Sequence, residues 1–85
     1  LASRLEFGLV LPMLEEPHSG EKPPWAEIKA LAQRAESIGF DAVWTADALL
    51  WRFPNWPGPR GWWECVSTTG AVAASTSTIT VGTYV

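Results

Sequence analysis

Phe40-Asp41-Ala42-Val43-Trp44-Thr45-Ala46, closed by Asp47, is the stretch that decides the fold. It reads as a strand, and successive side chains of a strand point to opposite faces. Ala42 and Trp44 then lie on one face and Val43 on the other, so the segment is apolar on both. A strand covered on both faces belongs to a parallel sheet with helices packed on it. An antiparallel strand with one wet face would alternate apolar and polar residues instead.

Before this strand stands a helix. Trp25, Ile28, Leu31, Ala32, Ala35 and Ile38 recur at helical spacing and predict an amphipathic helix over Pro24 to Ile38. Pro24 suits a first helical turn, and Glu27 meets the positive end of the helix dipole. Gly39 is the residue expected just past a helix end, because it adopts the left-handed conformation without steric cost. Further back, Leu5, Phe7, Leu9 and Leu11 alternate with Glu6, Gly8 and Val10, which predicts a first strand over Leu5 to Leu11. Pro12 stops it, and Met13 to Pro23 reads as a loop through Pro17, Gly20 and Pro23.

After Asp47, Ala48 to Arg60 carries Pro54, Pro57, Gly58 and Pro59 and reads as a loop, with room for a helical turn at Ala48 to Arg52. Trp62 to Ala74 predicts a second helix. Gly61 serves as its N-cap, and Glu64 completes the capping pattern three residues on. Gly70, Ala71, Ala73 and Ala74 keep that helix slim enough to lie close to a sheet. Ser75 to Ser77 is a short return, and the β-branched run Thr78 to Val85 is a third strand.

The connections are asymmetric. The segments after the first two strands are long and rich in Pro, Trp and Gly, whereas those after the helices are very short. In parallel α/β structures the strand-to-helix loops gather on one rim, where ligands bind. Parallel crossovers are right-handed, so a sheet in the order 1-2-3 has both helices on one side and a bare opposite face. Closure into a (β/α)₈ barrel of about 250 residues covers that face. The expected fold is therefore α/β, the N-terminal β-α-β-α-β portion of a (β/α)₈ barrel, with residues 1–85 as part of a single domain. Leu1 in place of Met, and a β-like run still in progress at Val85, predict a piece of a longer chain. A doubly wound sheet is the competing solution, and no G-x-G-x-x-G follows the first strand to support it.

Composition narrows the function. The chain has 85 residues, a formal charge of −3 and no basic run, which argues against a nucleic-acid partner. No apolar run approaches a membrane span. Cys65 is the single cysteine, so an intrachain disulfide is excluded and a reducing, cytoplasmic setting is expected. Six Trp residues are many for this length, and Trp51, Trp56, Trp62 and Trp63 fall close together. Trp51 and Trp56 fit either a substrate or partner surface or the packing of their own loop, while Trp62 or Trp63 is the anchor of the second helix and Trp44 is core. Glu15, Glu16 and Glu21 read as a solvated loop, because no His or further Asp comes at ligand spacing. His18 is the only histidine, in the loop after the first strand. On pattern alone, Asp47 is a loop-ordering carboxylate or a polar contact on the rim.

Four runs, in order, resemble the luciferase-like monooxygenase superfamily. They are Phe7-Gly8-Leu9-Val10-Leu11-Pro12, Gly39-Phe40-Asp41-Ala42-Val43-Trp44-Thr45-Ala46-Asp47, Gly61-Trp62-Trp63-Glu64 and the stretch from Ala71 through Thr83. The resemblance implies a (β/α)₈ barrel that binds FMN or the deazaflavin coenzyme F-420 across its strand C-termini. It implies oxidoreductase chemistry on a small-molecule substrate, by monooxygenation or hydride transfer, in a parent that can be a homo-oligomer. Carried over residue by residue, Asp47, Thr83, Tyr84 and Val85 would contact the cofactor, and Trp51 would face the substrate. The pattern after the second strand leans toward the deazaflavin branch. Relatives commonly have Asp-His where this chain has Asp47-Ala48, so the catalytic residue stays open, with Asp47 the candidate. In deazaflavin-dependent relatives a non-prolyl cis peptide forms a bulge at the place of Tyr84–Val85, and a chain ending there is expected to relax to trans. Two other readings stand beside this one. A Trp- and Pro-rich loop suits a non-enzymatic module that stacks on a sugar or a partner protein. A portion of a barrel, alone, is expected to be inactive, because barrel catalysis draws residues from several strand ends.

Overall fold

The two-faced strand is the middle strand of the sheet. In the computed structural model, residues 4–16, 19–48, 50–52, 54–55, 58 and 60–84 are described. The elements run β1 (Gly8–Val10), α1 (Trp25–Ile38), β2 (Ala42–Ala46), β3 (Leu50–Trp51), β4 (Arg60–Gly61), α2 (Cys65–Ser75) and β5 (Thr80–Tyr84). The main sheet has the order β1-β2-β5, with both pairs parallel. This is the β-α-β-α-β unit expected from the sequence, with α1 and α2 as its two crossovers.

Both helices cover the same face. Leu11 and Val43 from the sheet pack with Ile28, Ala32 and Ala35 of α1 and Val72 of α2, and all six are buried. Full burial of an aliphatic side chain such as Ile28 or Val43 stabilises by about 1.5–3 kcal/mol, so this cluster is what holds the helices to the strands. The stripe on α1 is narrower than its periodicity suggests: Ile28, Ala32 and Ala35 are buried, while Leu31 and Ile38 are exposed. Gly39 ends α1 at φ +98°, and Phe40 N–H then reaches back to the Ala35 carbonyl at 2.9 Å. This is the left-handed closure that glycine permits.

Three boundaries differ from expectation, each for a local reason. The first strand is shorter than Leu5 to Leu11. Leu5 and Phe7 are exposed, although ladder bonds still run from the Phe7 carbonyl to Leu11 N–H. Asp41 diverts the approach: its carboxylate accepts Phe7 N–H at 2.7 Å and pairs with Arg4. The second helix starts at Cys65, not Trp62. Glu64 is the cap itself, its carboxylate accepting Val66 N–H at 2.9 Å and Ser67 N–H at 2.7 Å. Those bonds satisfy donors that a helix start leaves unpaired, and they lower the Glu64 pKa. The third strand begins at Thr80, because the amides of Ser77, Thr78 and Ile79 all turn to the Glu36 carboxylate, at 2.8, 2.6 and 2.9 Å.

Glu36 and Asp41 thus do parallel jobs at the lower pole. Each is a carboxylate beside the α1–β2 junction, and each gathers the backbone leading into a neighbouring strand. Gln33 adds a bond from its side-chain amide to the Ser75 carbonyl at 3.0 Å.

No described helix covers the other face of the sheet. By register, Gly8 and Val10 of β1, Ala42, Trp44 and Ala46 of β2, and Thr80, Gly82 and Tyr84 of β5 share it. Trp44 lies half-buried on this open face rather than among the core side chains, which corrects the sequence reading. Its indole spans the sheet because both flanking positions are glycine. A Cβ on Gly8 would sit 2.7 Å from Trp44 Nε1, and one on Gly82 would sit 2.7 Å from Trp44 Cε3. Real side chains do not approach so closely, so the two glycines and the indole form one fitted layer.

Two outcomes are expected in the intact protein. Gly82→Ala should destabilise it by about 1–3 kcal/mol through overpacking, and the same substitution in a Trp44→Leu background should cost little. Urea denaturation of the four proteins measures both. Glu36→Gln should lower the melting temperature at pH 7. Three backbone N–H bonds depress the Glu36 pKa in the fold, so its contribution is present above the ordinary glutamate range and is lost as pH falls through the depressed value. Melts of wild type and variant should therefore converge in acid.

Candidate functional site at the strand C-termini

Parallel strands send all their C-terminal ends to one pole. There the loops after β1 and β2 meet. Leu14 forms an antiparallel bridge with Trp62. Glu15 N–H donates to the Gly61 carbonyl at 3.0 Å, and Trp63 N–H to the Met13 carbonyl at 2.9 Å. Gly61 and Arg60 in turn pair with Leu50 and Trp51. Segments from two loops therefore build a small antiparallel arm, the β3–β4 pair with Leu14 bridged beside it, above the parallel sheet.

The sequence reading missed this arm. It gave a loop over Ala48 to Arg60 with a helical turn at Ala48 to Arg52, and β3 occupies that place instead. The usable signal was a Pro- and Gly-rich turn between two short segments, which marks a hairpin; Gly58 sits in it at φ +70°. Glu15 was likewise read as a solvated loop acid. It is half-buried, with its side chain across Gly61, where a Cβ would strike Glu15 Oε1 and come within 2.8 Å of its Cδ. Glu16 does serve its own loop, accepting Ser19 N–H at 2.6 Å.

Strand β2 delivers Asp47 to this pole. Asp47 is exposed, its N–H donates to the Tyr84 carbonyl at 3.1 Å, and its carboxylate has no hydrogen-bond partner among the described residues. Tyr84 stands at the same end, half-exposed and on the open face. Thr83 pairs with Thr45, so its side chain belongs to the helix-covered face and does not join Tyr84. Ala48 follows Asp47 and is half-buried. Trp51 has its backbone in β3, but its side chain lies outside the described part. His18, Trp56 and Val85 lie outside the described residues, and with Val85 goes the Tyr84–Val85 peptide.

The tryptophans around the rim are engaged. Trp62 donates its indole N–H to the Ala46 carbonyl at 2.9 Å. Trp63 donates to the Pro23 carbonyl at 2.9 Å, packs against the core cluster, and has the Lys22 ammonium 4.5 Å from its ring centre. These two rings anchor loops, as an anchoring role suggested, but they precede α2 instead of opening it.

Beneath the rim, a buried polar triad ties β2 to α2. The Thr69 hydroxyl donates to the Cys65 carbonyl at 2.7 Å. Its single proton is thereby used, so the 2.7 Å contact with Thr45 must have Thr45 as donor. Cys65, also buried, keeps its sulfur 3.7 Å from the Thr45 hydroxyl.

These features define a parallel α/β protein that presents at its strand C-termini a tyrosine, a two-loop arm and a carboxylate unpaired among the described residues. A family model for luciferase-like monooxygenases matches residues 5–85, and the chain belongs to that family. No curated protein and no solved structure matches it significantly. No described helix is long and apolar enough to cross a membrane.

Thr45→Val should cost about 1–2 kcal/mol, because the partly buried Thr69 oxygen loses its donor. Thr69→Val should cost a similar amount, and the double variant should cost less than the two together. Chemical denaturation of the three variants tests the triad.

Proposed function

We propose that the protein is a flavin- or deazaflavin-dependent oxidoreductase, in which residues 1–85 supply the opening β-α-β-α-β part of a (β/α)₈ barrel. Family membership supports the class. The observation that carries the placement of the site is the meeting of Asp47 and Tyr84: both stand at the C-terminal pole, joined by the Asp47 N–H to Tyr84 carbonyl bond at 3.1 Å.

The chemistry of this rim suits a flavin-type ring. Such a ring has N–H donors at its edge and a broad apolar face. The Asp47 carboxylate, without a hydrogen-bond partner among the described residues, is an acceptor for a ring N–H, and the open sheet face beside Tyr84 is apolar. Bound there, FMN or coenzyme F-420 supplies the electron or hydride chemistry, and the protein supplies position and electrostatics. Tyr84 would line the ring and Thr83 would contribute backbone, since its side chain belongs to the opposite face; Val85 is assigned to the ring by the family resemblance alone. Trp51, whose backbone lies in the arm, is assigned to the substrate by the family resemblance alone. With Ala48 where relatives commonly place His, Asp47 is the titratable group this chain brings to the end of strand two. The Asp47 carboxylate would orient the ring edge by accepting its N–H, and it is the candidate catalytic group. The substrate is a small molecule, and the lone buried thiol is suited to the reducing cytoplasm.

Titration of the intact protein with reduced FMN and with coenzyme F-420, followed by fluorescence, tests this reading. Saturable binding of one is expected, and Asp47→Ala should weaken it by about tenfold or more, the loss of a hydrogen bond to a charged group. Absence of binding to both would overturn the proposal.

A further inference from the structure

The parallel ladder between β1 and β2 ends in an unusual way. Leu11 N–H donates to the Trp44 carbonyl at 2.9 Å. In a regular parallel ladder the next donor along the same strand is two residues on, and the next acceptor is also two residues on. Those groups would be Met13 N–H and the Ala46 carbonyl. Pro12 turns the chain away, and the Ala46 carbonyl takes its proton from the Trp62 indole at 2.9 Å. A side chain has replaced the missing backbone donor.

The substituted bond sits at an informative place. The peptide joining Ala46 to Asp47 is bonded on both sides: its carbonyl accepts from Trp62, and its N–H donates to Tyr84 at 3.1 Å. Trp62 is at the same time bridged through its backbone to Leu14. One residue therefore joins the arm, the loop after β1 and the peptide that carries Asp47. Buried carbonyls are almost always paired, and one that loses its donor drives local rearrangement.

We propose that Trp62 is a positioning residue for the rim, whose indole N–H fixes the Ala46–Asp47 peptide plane and with it the direction of the Asp47 carboxylate. Its consequence for ligand binding rests on the cofactor reading above, but its consequence for the peptide does not. The ring of Trp62 fills space and its N–H holds the peptide, and the two roles separate by chemistry.

Two variants of the intact protein test this. Trp62→Phe removes the N–H and part of the ring. Incorporation of benzothienylalanine at position 62 keeps the ring's shape and removes only the N–H. Amide hydrogen exchange, resolved by residue, is the readout. Both variants should exchange the Asp47 amide about tenfold faster, the effect of one lost neutral hydrogen bond, while Leu11 and Ile79 amides keep their wild-type rates. Cofactor affinity should fall alongside in both. Unchanged Asp47 exchange in the benzothienyl protein would overturn the assignment, and so would acceleration spread equally over Leu11, Asp47 and Ile79. Wild-type protein that binds neither cofactor would remove the cofactor reading alone, because the exchange result stands without it.

Discussion

Everything in this structure depends on β2 being paired along both edges and occupied on both faces. Val43 and Thr45 are fully buried under the helices, and Trp44 lies over the opposite side. A strand placed this way has no freedom of register. A one-residue slip would put Trp44 into the helical layer and Val43 onto the open side. The parallel partners follow from the same constraint. Each neighbour must leave β2's plane and return through a helix, and both helices, by handedness, arrive on the same side.

From that arrangement the two poles acquire different chemistry. The lower pole is tied down by short connections and by carboxylates, Glu36 for the turn into β5 and Asp41 for the approach to β1. Both use their oxygens on backbone amides of this chain. The upper pole receives the long loops. There the Asp47 carboxylate is left without such a task among the described residues. The carboxylates that tie down the backbone and the one left unengaged are thus separated along the strand axis, and parallel α/β architectures generally keep stability and ligand chemistry at opposite strand ends.

Much of this was legible in the sequence. The period of α1 and its closing Gly39, the two-faced character of Phe40 to Ala46 and the order of the elements all rest on local pattern, which the fold leaves intact. The failures have a common cause. Glu64 competing with Gly61 as the cap, Glu36 capturing the amides before β5, and Asp41 capturing Phe7 are side-chain-to-backbone bonds. The Glu36 and Asp41 bonds also span more than thirty residues, so no window of sequence contains both partners. The arm is harder still, because Leu14 and Trp62 pair across the whole of α1 and β2. At the site, Asp47 and Tyr84 were placed by resemblance. The face occupied by Thr83 needed only the alternation of a strand counted from Thr45, a check available without coordinates.

The layer formed by Gly8, Trp44 and Gly82 has a consequence for descent. Three positions on three strands share one fixed thickness, so none can change volume by itself. A lineage that exchanged the indole for a small side chain would open a trough across the sheet and free positions 8 and 82 to gain bulk. A lineage that kept it would be held to hydrogen atoms at both. Related chains should therefore sort into two groups, wide residue in the middle or wide residues at the flanks, with the intermediates rare.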